Sequence, residues 1–202
     1  MKKREFFDNE GVFSKTEKII LRKFVESDKN EYLTLRGAFI DVPPQFKKFK
    51  LDYCDYLWGC VTDEKLDFLY LAIVDTCTGE LIGYEALANC DEPDPEISIE
   101  IKKDCRNKGY GKAAVEAMLE HYRVITGNNS FMVEIMTNNR SSIKLFSNFD
   151  ISEMGRKSSP YVDRVNKWGL DEDGNIDESR VNMAKYEAES NEKVILYRLV
   201  IP

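Results

Sequence analysis

"EISIEIKKDCRNKGYGKAAVEAMLEHYRVIT", residues 96–126, changes its periodicity halfway along. Ile97, Ile99 and Ile101 alternate with Glu96, Ser98 and Glu100, which is the period of a strand with one apolar face. From Ala114 onward, Val115, Met118, Leu119, Tyr122 and Ile125 recur at steps of three and four, the pattern of an amphipathic helix. Between them, "KKDCRNKGYGK" (102–112) holds five basic residues, one aspartate and two glycines. A loop that enters a helix leaves up to four N–H groups unpaired and carries about half a positive charge. Glycines let that backbone close on a phosphate without a side chain in the way. A phosphate or pyrophosphate is therefore the expected guest.

The chain around this stretch has 202 residues, 43% hydrophobic and 32% charged, enough for one sizeable domain. Net charge is -7, while residues 102–112 alone sum to +4. A basic spot on an acidic body suits a small anion and argues against nucleic acid as partner. No apolar run approaches the ~20 residues of a membrane span, and "MKKREFFDNEG" lacks the apolar core of a signal peptide. The expected address is cytoplasmic, with no membrane partner. Five cysteines and one histidine, with no Cys-x-x-Cys pair, predict reduced thiols and no metal site. His121 falls on the polar flank of its helix and is expected at the surface.

Further elements follow from pattern. "EKIILRKF" (17–24) reads as a first strand, and Ser27 and Asp28 offer caps for a helix to about Phe39. A second helix is expected after Pro43 and Pro44, with Phe46, Phe49, Tyr53, Leu57 and Trp58 as packing residues. "DFLYLAIVD" (67–75) and "LIGYEALAN" (81–89) form a hairpin through "TCTGE" (76–80). "FMVEIM" (131–136) is a strand, and Ile143, Phe146 and Phe149 stripe a helix from near Asn139. Residues 150–156 are extended, and "KVILYRLVI" (193–201) is a closing strand. Residues 157–192 read as a polar excursion with a hairpin turn at Asp173–Gly174, and "DEDGNIDESRVN" (171–182) lacks the glycine and glutamate of a calcium loop. Residues 1–15 are expected to be loosely ordered. The sum is one mixed α/β domain over 1–202.

Three nucleotide-type motifs can be laid on the loop. The P-loop fails, because Arg106 stands at its first glycine and Ala113 at its hydroxyl position. The dinucleotide fingerprint is met formally by Gly109, Gly111 and Ala114, but it wants an apolar strand running straight into the first glycine. The third is Arg-x-x-Gly-x-Gly, from Arg106 to Gly111, between a strand and an amphipathic helix.

That third arrangement resembles the acetyl-CoA pyrophosphate loop of the GNAT superfamily of N-acetyltransferases. "TEKIILRKFVESD" (16–28) and "TNNRSSIKLFSNFDI" (137–151) resemble the branch that acetylates the N-terminal amines of ribosomal proteins, the RimJ/RimL-like enzymes. The resemblance spans about 16–156, with the last strand near 194–200. It implies a GNAT acyl-CoA N-acyltransferase fold: a central, mostly antiparallel sheet splayed between its fourth strand (96–101) and fifth (131–136), flanked by helices. It implies acetyl-CoA as co-substrate and a primary amine as acceptor, either a protein N-terminus or a small cationic amine, with a homodimer common among relatives.

The resemblance also assigns residues. Backbone groups of Ile99, Glu100 and Ile101 hold the pantetheine arm. Amides of Asn107, Lys108, Gly109, Tyr110, Gly111 and Lys112 hold the pyrophosphate, helped by the Arg106 side chain. Asn139 and Ser142 meet the far end of the arm. A carboxylate must take the proton of the attacking amine. Glu96 is the first candidate and Glu100 the second, with Glu85 on the preceding strand expected to join them in an acidic cleft. Phe146 stands where many relatives have a thiol-protonating tyrosine, and Tyr161 is a speculative substitute. The missing tyrosine leaves open an acetyl-CoA-binding module without turnover, and a dinucleotide-binding domain is the more distant alternative.

Overall fold

The computed structural model describes residues 3–36, 47–63, 68–158 and 193–201. The chain falls into two compact units, residues 1–131 with 201–202, and residues 132–200.

In the first unit, five strands follow one another as an antiparallel meander: β1 (Val12–Lys15), β2 (Ile19–Arg22), β3 (Phe68–Asp75), β4 (Leu81–Ala88) and β5 (Glu96–Ile101). The β3–β4 turn forms because the Asp75 carboxylate accepts the amides of Cys77 (2.7 Å) and Thr78 (3.0 Å), and Gly79 supplies the left-handed residue at φ +74°. Three helices cover the sheet: α1 (Lys29–Leu35), α2 (Lys47–Thr62) and α3 (Tyr110–Thr126).

The ladder sorts the side chains into two faces, because directly opposed residues share a side. Leu71 of β3 lies across from Glu85, and Glu85 across from Ile99, so these three share one face with Leu87 and Ile97. Tyr70, Ala86 and Ser98 share the other, as do Ala72, Tyr84 and Glu100. α1 and α2 cover the tyrosine face: Tyr32, Leu33, Cys54, Leu57 and Trp58 are buried in one cluster with Tyr84. α3 packs against β1, β2 and β5 through Ala114, Val115, Met118, Leu119 and Tyr122, all buried.

Three expectations change here. Residues 3–15 are not loose: Lys3–Phe6 forms a 3-10 turn and Val12–Lys15 adds β1 to the sheet edge. Phe6 and Phe13 are buried, and Phe6 stacks on Tyr122 at 5.3 Å. His121, expected at the surface, is only partly exposed, since its Nε2 lies 3.1 Å from the Phe6 carbonyl and its ring 4.4 Å from Phe13. A helical wheel cannot show that a distant N-terminal segment lies over one flank. The helix from Ser27 is also shorter than expected, ending at Leu35. Its Asp28 does not cap it; that carboxylate takes the Arg22 guanidinium at 2.6 Å.

In the second unit the chain runs through β6 (Ser130–Met136, begun in the first unit), α4 (Arg140–Phe146), β7 (Asp150–Ser158) and β8 (Lys193–Val200). β8 lies between β6 and β7 and pairs antiparallel with β7, with a bulge between Glu153 and Gly155. Of the expected α4 stripe, Phe146 is buried, with the Phe149 ring 6.2 Å away. Residues 37–46 with Phe46, and 159–192 with Tyr161 and the Asp173–Gly174 turn, lie outside the described residues. Among the described residues no helix is long and apolar enough to cross a membrane.

Candidate active site

β5 leaves the sheet through a 3-10 turn, Lys103–Cys105, and reaches α3 in four more residues. Asn107 (φ +60°) and Gly109 (φ +81°) both take left-handed conformations, which the chain needs to reverse so quickly. Among the described residues the N–H groups of Asn107 through Lys112 have no backbone acceptor; the first amide to be bonded is that of Ala113, to the Gly109 carbonyl at 3.1 Å. Six consecutive donors are therefore left without a backbone acceptor at and before the N-terminus of α3, where the helix dipole is positive.

Side chains hold this loop while leaving its amides free. At its start, Arg106 donates from Nη2 to Glu100 Oε1 (2.6 Å) and from Nε to the Ile101 carbonyl (2.9 Å). In its middle, Lys18 Nζ donates to the Lys108 carbonyl at 2.5 Å. At its end the Tyr110 hydroxyl donates to Asp75, the aspartate that also ties the β3–β4 turn. This bond holds the Asp75 carboxyl below its usual range and pushes the Tyr110 phenol up to about 12. Lys18 and Asp75 carried no sequence signal, because each reaches the loop from a distant turn. Arg106 was expected on the pyrophosphate; in the structure its guanidinium is bound to β5.

The three carboxylates do not gather into one acidic cleft. Glu85 lies on the α3 face, wholly buried, with no hydrogen bond to either oxygen. Burial pushes its carboxyl well above the usual range, which favours the protonated form. The sequence placed it with Glu96 and Glu100 because pairing register cannot be read from one strand alone. Glu100 is on the α1–α2 face but engaged by Arg106. Glu96 is half-buried at the first position of β5, across from Ala88. On this face Ala86, Ala88 and Ser98 are small residues between Tyr70 and Tyr84 on one side and the β5 carboxylates on the other, and Ala86 is buried.

Backbone polarity of β5 follows from one bond. The Lys102 amide donates to the Ile82 carbonyl at 2.9 Å, directly across the ladder. Antiparallel alternation then ties Glu100 to Tyr84 and turns the N–H and C=O groups of Ile97, Ile99 and Ile101 away from β4. Ile99 therefore turns its backbone groups to the edge of β5 that faces away from β4; Ile101 shares its carbonyl with Arg106; the Glu100 backbone belongs to the ladder.

The profile of the Acetyltransferase (GNAT) domain matches residues 18–151, from the turn before β2 to the start of β7. The chain belongs to this acetyltransferase family.

Solved structures share the fold. The microcin C7 self-immunity acetyltransferase MccE, in complex with acetyl-CoA and AMP, aligns over 97% of this chain and 99% of its own, with 13% identity and a TM-score of 0.64. The spermidine/spermine N-acetyltransferase SpeG from Vibrio cholerae, in complex with manganese ions, aligns over 91% of this chain and 92% of its own, with 14% identity and a TM-score of 0.59. A GNAT-family acetyltransferase from Bacillus anthracis aligns over 93% and 97%, with 12% identity and a TM-score of 0.59. No curated protein sequence matches the chain.

In the second unit of this acetyltransferase, Asn139 caps α4, its side chain accepting the Ser142 amide at 3.1 Å. Phe146 is 2% exposed, so its ring packs in the interior. One cavity of the first unit, about 200 Å³, is lined by residues including Phe7, Lys23, Phe24 and Tyr70, and none of its lining belongs to β5 or the glycine loop.

Proposed function

We propose that the domain moves the acetyl group of acetyl-CoA to a primary amine by direct attack on the thioester. The observation that carries this reading is the run of unpaired amides from Asn107 to Lys112 at the start of α3. They receive the coenzyme diphosphate, and Lys18, Arg106 and Tyr110 keep the loop from collapsing onto itself. The resemblance puts the pantetheine arm beside the Ile99 edge that turns from β4, with its N–H on the oxyanion that forms on the thioester carbonyl, a contribution of roughly 10²–10³ in rate for one such donor. The resemblance assigns Asn139 and Ser142 to the far end of the arm.

The amine nitrogen bonds to the acetyl carbon, the carbon–sulfur bond breaks, and the ammonium proton leaves through water to Glu96. Glu96 takes this role as the half-buried carboxylate at the first position of β5, on the face opposite Glu85. The departing thiolate takes its proton from solvent, since Phe146 has none to give. The resemblance to enzymes of ribosomal-protein N-termini supports an α-amine as the acceptor. A second reading, a module that binds acetyl-CoA without turnover, is favoured by Phe146 alone.

Titration calorimetry with acetyl-CoA tests the first step: micromolar binding is expected, and Gly111→Glu, which puts a carboxylate among the amides, should abolish it. Equal affinity in both proteins would remove both readings. Thiol release with a panel of amines separates them, because tight binding without release leaves only the module. Glu96→Gln should lose turnover most at lower pH, where the acceptor is protonated; a profile parallel to wild type discards Glu96 as the base.

A further inference from the structure

Arg36 closes α1, and its guanidinium lies over the tyrosine face of the sheet. Nη1 donates to the Tyr84 hydroxyl at 2.6 Å, and the guanidinium carbon is 5.6 Å from the Tyr84 ring centre. Tyr84 is fixed in turn: it is buried, opposed to Glu100 in the ladder, and packed edge-on against Tyr32 at 5.5 Å. Arg36 is thus aimed by a hydroxyl that carries no charge, and among the described residues no carboxylate pairs with it. A guanidinium has five donors in a planar fork, so Nε and Nη2 are left for a guest.

The surrounding charges sharpen the point. Lys102 is neutralised by Glu31 at 2.5 Å, Lys29 faces Asp55 at 3.8 Å, and Glu100 is neutralised by Arg106. With Glu85 on the opposite face, the charged groups beside Ala86 and Ser98 are Glu96, across from Ala88 on β5, and the cation Arg36, which no described carboxylate pairs. An amine whose own molecule carries a carboxylate finds a preformed fork and, across Tyr84, the β5 edge.

The geometry points to a free α-amino acid as the acceptor, its carboxylate held bidentately by Arg36 and its α-amine presented to the thioester along β5. This rests on the acetyl-transfer reading above and narrows its acceptor. In the reaction the α-nitrogen gains the acetyl carbon, CoA leaves as the thiol, and one proton passes to solvent through the base. The carboxylate is untouched.

The test uses the full chain with saturating acetyl-CoA and reads thiol release. The acceptors are twenty free amino acids, their α-amides, the matching decarboxylated amines, spermidine, and short peptides. A subset of free amino acids should exceed their own amides in kcat/KM by at least tenfold. Arg36→Gln should raise KM for those acids at least tenfold and leave their amides unchanged. Arg36→Lys, which keeps the charge and loses the fork, should recover only part. Tyr84→Phe should raise KM modestly, because the guanidinium is no longer aimed. Preference for spermidine, for peptides or for amides overturns the assignment, as does equal loss on acid and amide in Arg36→Gln or no release with any free amino acid. Each of these leaves acetyl-CoA binding intact by calorimetry; loss of that binding in the wild-type protein is instead the failure of the acetyl-transfer reading.

Discussion

Arg106 Nη2 stands 2.6 Å from Glu100 Oε1, joining the first residue of the Arg-x-x-Gly-x-Gly stretch to the strand that precedes it. Both side chains are substantially exposed, at 46% and 39%. Such pairs contribute about 0–1 kcal/mol to stability, so the bond's value lies in placing the loop. Arg106→Gln is expected to leave the melting temperature nearly unchanged while weakening acetyl-CoA about tenfold, or ~1.4 kcal/mol. Glu100→Gln should give a smaller loss of the same kind. Calorimetry beside thermal melts checks it: a large fall in stability with unchanged affinity would make the pair purely structural.

Tyr110 and Asp75 share one hydrogen bond, and it shifts both groups in opposite directions. The Asp75 carboxyl is lowered in the fold, so its contribution is present above the ordinary carboxylate range and is lost as pH falls through the lowered value. The Tyr110 phenol is raised, so its contribution is complete below about 10 and is lost as pH rises through about 12. Tyr110→Phe should flatten both limbs of a stability–pH curve. An unchanged acid limb in the variant would mean that the turn amides alone set Asp75.

Burial in the core raises the Glu85 carboxyl well above its usual range and so disfavours its charged form. Its folded value is raised, so the native state binds a proton that the unfolded chain releases from about pH 4.5 upward. Stability should therefore decline as pH climbs above that point. Glu85→Gln should remove the slope, and Glu85→Leu should add about 1–3 kcal/mol by removing an unpaired buried polar group. Urea titrations at a series of pH values read both, and a slope that survives in Glu85→Gln belongs to another group.

Gly83 has no room for a side chain. A Cβ there meets the Glu100 carbonyl oxygen at 2.3 Å, and that atom is backbone of β5 and cannot turn aside. Gly83→Ala should cost about 1–3 kcal/mol, the range for overpacking, and should weaken acetyl-CoA binding through displacement of Glu100 and Arg106. Full affinity at lowered stability would show that β5 yields without moving the loop.

Much of the fold was legible because its elements are local. The isoleucine alternation of 96–101, the helical steps from Ala114 to Tyr122 and the turn at Gly79 each depend on neighbours in sequence, and each appears where pattern puts it. The glycine loop was legible for the same reason, since two glycines among cations at a strand–helix junction leave amides free whatever else surrounds them.

What tertiary structure alone decided was pairing over distance. Which face of the sheet Glu85 occupies depends on the register between β4 and β5, and a shift of one residue would reverse it. That Lys18 and Asp75 brace the loop, that Phe6 and Phe13 cover His121, and that Tyr84 aims Arg36 are contacts across 35 to 115 positions of chain. The sequence specified the local dihedral preferences and the apolar stripes. Only packing those stripes into one core brought the remaining charges to their partners, and so determined which of them stay free for chemistry.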